Sequence, residues 1–119
     1  MNIREERNAD FLILCPEGRL DTINSKIFEE KVLAVIDGGE TRFVIDLSQM
    51  DYVSSSGLRV FLIASKRATS TGGKIVLCSL QDPVKEVFDI VGFYSIFPIF
   101  GSQDEALNSL RLFGTERGA

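Results

Sequence analysis

The sequence predicts one α/β domain over residues 1–119, with a mixed sheet of four to five strands and about four helices. Three observations predict it. Short apolar runs alternate along the chain with segments whose apolar residues recur at every third or fourth position. The runs around Val44 and Val76 do not alternate with polar residues, as expected of strands covered on both faces. At 119 residues the chain can bury one core, but not two comfortable ones.

Residues 2–8 are polar apart from Ile3 and make a marginal edge strand or a loose arm. An edge of that kind is open to pairing with a second chain. Phe11-Leu-Ile-Leu-Cys-Pro16 is a buried strand, and Glu17-Gly18 turns the chain. Asp21, Thr22 and Asn24 are each competent to cap the first helix. That helix carries Ile23, Ile27, Phe28, Val32, Val35 and Ile36 as its apolar stripe and stops at Gly38-Gly39. Thr41 to Leu47 is the next strand, and Ser54 to about Ser70 the second helix. Lys74 to Cys78 is a strand, followed by a helix that Asp82-Pro83 caps and opens and Gly92 closes. Phe93 to Phe100 reads as a last strand, although Pro98 argues for an edge or an early end. Ser102 and Glu105 form a capping box for a final helix carrying Ala106, Leu107 and Leu110, with residues 114–119 as a frayed tail.

Composition excludes several functions. A net charge of −4 with no basic stripe disfavours nucleic acid. No apolar run approaches the ~20 residues of a membrane span. The charged N-terminus lacks a signal-peptide core, so a cytoplasmic protein with no membrane insertion is expected. Cys15 and Cys78 each sit in an apolar run, as buried strand thiols. With two cysteines and no histidine, neither a metal site nor any other cofactor is expected. The missing histidine also removes the usual base for a nucleophilic serine, so an enzyme is disfavoured.

The chemistry therefore concentrates in Ser54-Ser-Ser-Gly57, between a strand and a helix start. The first N–H groups of a helix lack partners within it, and the macrodipole favours negative charge there. A serine at that point is an N-cap, a nucleophile or a phosphorylation site. Gly57 leaves the backbone open to an approaching group. At 100° per residue, Leu58, Phe61, Leu62, Ala64, Ser65 and Ala68 fall on the sheet side of this helix. Arg59, Ile63, Lys66 and Arg67 fall opposite, with Val60 at the margin. Ile63 is then an apolar residue in a basic, solvent-facing stripe: either an ordinary exposed aliphatic or part of a partner-binding face.

Phe43-Val-Ile-Asp-Leu47 with Met50-Asp-Tyr-Val-Ser-Ser-Ser-Gly-Leu-Arg59 resembles the signature of STAS domains, and more narrowly of bacterial anti-sigma factor antagonists. Gly18-Arg-Leu-Asp21, Gly72-Gly-Lys-Ile-Val-Leu77 and Val84-Lys-Glu-Val-Phe-Asp-Ile-Val-Gly92 extend the resemblance over nearly the whole chain. The family pattern reads Asp-Ser-(Ser/Thr/Ala)-Gly-Leu, and its first serine accepts phosphate. Aligned on Gly57, that serine is Ser55, with Ser56 in the small position and Ser54 where the aspartate would stand. This departure makes Ser54 an alternative acceptor. The resemblance places Asp21 and Asp46 near the acceptor as docking residues, beside Ser54, Ser55, Ser56, Gly57, Arg59 and Ile63.

The resemblance implies a switch. Unphosphorylated, the chain would bind an anti-sigma factor that is a GHKL-type serine kinase. Phosphorylated, it would be released, and a PP2C-type phosphatase would reset it. The rival is a STAS scaffold that is never phosphorylated and recruits partners constitutively in a signalling or transport complex.

Overall fold

The computed structural model describes residues 1–118, with side chains described through Phe113. The chain runs β1 (Asn2–Asn8), β2 (Phe11–Leu20), α1 (Thr22–Asp37), β3 (Arg42–Asp46), β4 (Met50–Val53), α2 (Ser55–Ser70), β5 (Lys74–Cys78), α3 (Asp82–Ile90), a 3-10 turn (Phe93–Ser95), β6 (Ile99–Phe100) and α4 (Gln103–Gly118). The side chains of the expected tail, 114–119, lie outside those described.

The sheet is mixed, in the order β1-β2-β3-β5-β6. Only the β1–β2 pair is antiparallel. The ten residues of β2 serve two neighbours in turn. Leu12–Leu14 pair with Phe43–Ile45 of β3, and Gly18–Leu20 then pair with β4. This short strand takes the sheet to six, one beyond the expected range. Its Asp51 and Tyr52 both face outward, so it carries no clean period-two signal.

Helices cover both faces. On one, α1, α2 and α3 bury Phe28, Val32, Phe61, Val84 and Phe88 against Leu14, Phe43, Ile45 and Leu77. The rings of Phe28, Phe61, Phe88, Phe93 and Phe97 form a chain of tilted and edge-on contacts with centroids 5.0 to 6.1 Å apart. Such pairs add about 0.5–1.5 kcal/mol each beyond their burial. On the other face, α4 packs Ala106, Leu107 and Leu110 onto Ile13, Cys15, Val44, Val76 and Cys78. The unbroken apolar runs of β3 and β5 are thus covered twice, as their pattern requires.

Several expectations need correction. Phe93–Ser95 is a 3-10 turn entered through left-handed Gly92 (φ 78°), and only Ile99–Phe100 is strand. The buried residues there, Phe93 and Phe97, are four apart, which is helical spacing. Asp82 does not cap α3; it is the first helical residue, after Gln81. The side chain of Gln81 instead donates to the carbonyl of Ser48 at 2.7 Å. On α1 the buried arc is Ser25, Phe28, Val32 and Ile36, and Ile23 (76% exposed) points the opposite way. On α2 the buried arc is Gly57, Val60, Phe61, Ala64 and Ala68. It is turned from the expected arc because α2 packs on α1 as well as on the sheet. Val60 is therefore buried, Ile63 is half-buried, and Leu62 is the apolar residue exposed on the outward stripe.

Candidate functional site

The site grows from one register. Leu20 and Val53 are the last paired residues of β2 and β4. The next residue on each strand caps a helix: Asp21 for α1 and Ser54 for α2. The Asp21 carboxylate accepts from the Asn24 amide at 2.9 Å, so Asp21 fills the role for which Thr22 and Asn24 also competed. The Ser54 hydroxyl accepts from the Gly57 amide at 3.1 Å. It also donates to the Leu20 carbonyl at 2.9 Å. Two helix N-termini therefore lie side by side, and neither carries an acidic residue in its first turn. The Asp21 carboxylate already offsets the dipole of α1, whereas α2, capped by a neutral serine, keeps an N-terminus that favours an incoming anion.

Ser54 is committed to the fold through both the donor and the acceptor of its hydroxyl. Ser55, the first helical residue, is exposed, and its hydroxyl makes no hydrogen bond among the described residues. Ser56 is half-buried and turns toward α1. The three serines thus separate into a cap, a free surface hydroxyl and a groove wall. Serine and aspartate are both strong N-caps. Ser54 can therefore cap α2 at the position where the family pattern has an aspartate.

Gly57 is buried, not open as expected. A Cβ there would stand 2.7 Å from Leu20 Cδ2 and 3.0 Å from Val53 Cγ2. Glycine is needed so that α2 can start in contact with the strand ends. Asp46, expected as a docking residue, is buried. It is only 6% exposed. One carboxylate oxygen accepts from the Ser48 amide at 2.9 Å, and the other from the Gln103 side chain at 2.6 Å. Asp46 lies two residues after Val44, on the face of β3 that α4 covers, so it ties the sheet to the start of that helix.

Beside Ser55 lies a groove of about 220 Å³ between α1 and α2, lined by Thr22, Ser25, Lys26, Glu29, Ser56, Arg59 and Val60. Arg59 is exposed and stands one turn after Ser55. At the base of the site the Arg19 guanidinium lies 4.0 Å over the ring of Tyr52. Neither the groove nor this pair is read from the sequence, although Arg59 is there as part of the basic outward stripe. Among the described residues no group of histidine, cysteine or acidic side chains is arranged to hold a metal.

A STAS-domain family model matches residues 2–106. The chain belongs to the STAS domain family. A Bordetella bronchiseptica protein named as an anti-sigma factor antagonist, BtrV, is 41% identical over 106 residues, covering 89% of this chain and 91% of its own. The anti-sigma F factor antagonist of Paenibacillus polymyxa is 27% identical over 113 residues, 94% of this chain and 97% of its own. A crystal structure of a Thermotoga maritima protein, described as an anti-sigma factor antagonist, superposes with a TM-score of 0.87 at 24% identity, covering 92% and 94% of the two chains. The STAS fold expected from the sequence is thus shown, and no described helix is long and apolar enough to cross a membrane.

Proposed function

We propose that this chain is an anti-sigma factor antagonist that works as a phosphorylation switch at Ser55. In its unphosphorylated form it binds an anti-sigma factor of the GHKL serine kinase class. The kinase transfers the γ-phosphoryl group of ATP to Ser55 Oγ, ADP leaves, and the hydroxyl proton passes to a base on the kinase. The phosphorylated chain lets go, and a PP2C-type phosphatase returns Ser55 to its hydroxyl by hydrolysis. The ATP site belongs to the partner, and this chain is the substrate.

The observation that carries this reading is the exposed Ser55 hydroxyl, without a hydrogen-bond partner among the described residues, at the first position of α2. Ser54, the alternative acceptor, would have to give up its cap and its bond to Leu20 to react. The names of the relatives support the antagonist role. Phosphate adds about −1.5 to −2 charges and three acceptor oxygens. The helix dipole tolerates that charge by about 0.3–1 kcal/mol, so release follows from local charge and bulk with little change of fold. The docking face comprises Asp21, Ser55, Ser56, Arg59 and the outward turn of α2.

Phosphopeptide mapping of the protein from its own cells tests the site, with the peptide spanning Ser54 to Ser56 sequenced. Phosphate on Ser55 is expected. A peptide unmodified under every growth condition would overturn the switch in favour of a constitutive STAS scaffold. Partner capture separates the two as well: Ser55→Ala should retain the kinase and Ser55→Asp should lose it, whereas a scaffold would keep its partner in both variants.

A further inference from the structure

The surface around Ser55 holds cations that the fold does not use. Arg4, Arg7, Lys31 and Arg67 are engaged in ion pairs. Arg19 and Lys74 lie over aromatic rings, and Arg42 donates to the Leu110 carbonyl. Arg59 and Lys26 make no hydrogen bond or ion pair among the described residues. Both line the groove beside the serines. Ser55 and Arg59 are four apart on one helix, so they project from the same side within about 5–6 Å at Cβ.

We propose that a phosphate on Ser55 is received within the same chain by Arg59, one turn along α2, with Lys26 of α1 as the second cation across the groove. The inference rests on the reading of Ser55 as the acceptor and adds what becomes of the phosphate. Guanidinium matches phosphate with paired N–H donors. The N-terminal dipole of α2 acts in the same direction. Glu29 lines the same groove, and the Asp21 carboxylate caps the adjacent helix; these are the charges that oppose it.

The consequence is a double switch. In the unphosphorylated form Arg59 belongs to the outward stripe with Ser55, Leu62 and Lys66, available to a partner's carboxylate. Once Ser55 carries phosphate, Arg59 turns to it. A partner then meets a new anion and loses the cation it used, from one covalent event. Ser55→Asp supplies a shorter side chain with a single charge, and so captures Arg59 less well than phosphate does.

The test installs phosphoserine at position 55 of the full chain by codon reassignment, so no kinase is required. Phosphorus NMR titration at low ionic strength then follows the second ionisation of the phosphate. A neighbouring cation favours the dianion, so the parent should titrate below the ~6 of a free phosphoserine. Arg59→Gln should raise that midpoint by roughly 0.3 pH units or more. Arg59→Lys should keep most of the parent's shift, Lys26→Gln should give a smaller rise, and salt should shrink all of these differences. Arg59 is exposed, so matching melts of the unphosphorylated variants check that the fold is intact. An Arg59→Gln protein that titrates as the parent does would overturn the proposal. That failure is distinct from failure of the switch, which phosphopeptide mapping in cells decides alone.

Discussion

Ser54 binds the carbonyl oxygen of Leu20 twice, through its amide and through its hydroxyl, each at 2.9 Å. A single side chain therefore joins two strand ends and caps a helix. Ser54→Ala removes the cap and one of the two bonds. It should cost about 1–2 kcal/mol in urea-induced unfolding. Ser54→Asp keeps the acceptor for the Gly57 amide and should lose clearly less. Equal losses in the two variants would show that capping is not what Ser54 contributes.

Gly57→Ala tests the contact between α2 and the strand ends. Alanine is the better helix former by about 1 kcal/mol. Its methyl would meet Leu20, which is fully buried, at 2.7 Å. Overpacking of this kind costs about 1–3 kcal/mol, so the melting temperature should fall. A rise would mean that the helix start moves freely and that its position does not depend on glycine.

Asp46 and Gln103 should be coupled, since the 2.6 Å bond joins β3 to the first residue of α4. Asp46→Ala leaves the Ser48 amide and the Gln103 amide without their acceptor and should cost about 1–3 kcal/mol. A double-mutant cycle with Gln103→Ala should show non-additivity of about 0.5 kcal/mol or more. Partner capture by Asp46→Ala, measured where the variant is still folded, should match the parent.

The two thiols give a pH dependence of known sign. Burial pushes Cys15 up to about 11 and Cys78 up to about 12. In the unfolded chain a thiol ionises near about 8.5. Below that value both states keep the proton, and the contribution to stability is complete. Above it the unfolded chain releases protons that the folded chain retains, so stability falls as pH rises toward the folded values. The slope reaches about 1.4 kcal/mol per pH unit for each thiol. Urea melts at pH about 7.5 and about 10 should therefore differ less in Cys78→Ala than in the parent. The same drop in both proteins would place the pH dependence elsewhere.

The strands β2, β3 and β5 were legible because short, β-branched apolar runs bounded by turn residues, such as Phe43-Val-Ile45, fit strands covered on both faces. The caps were legible as candidates, and the register of Leu20 with Val53 decided which of them act. Which of three adjacent serines is free depends on the exact turn at which α2 begins, and local sequence does not fix that. The same limit hid the burial of Gly57, which comes from Leu20, 37 positions earlier in the chain. The exchange of Ile63 for Leu62 on the outward stripe reflects the neighbouring α1, whose packing angle no single-helix projection contains. The burial of Asp46 was not legible because its partner Gln103 lies 57 residues away.

The Arg19–Tyr52 stack also makes this end of the molecule optically addressable. The chain has no tryptophan and only two tyrosines, Tyr52 and Tyr94. The phenylalanine core is nearly silent in fluorescence, so emission comes from two half-exposed phenols. Tyr52 lies two residues before the Ser54 cap and beneath a guanidinium. In a Tyr94→Phe background, the native protein would carry a single fluorophore at its docking end, free of any attached dye.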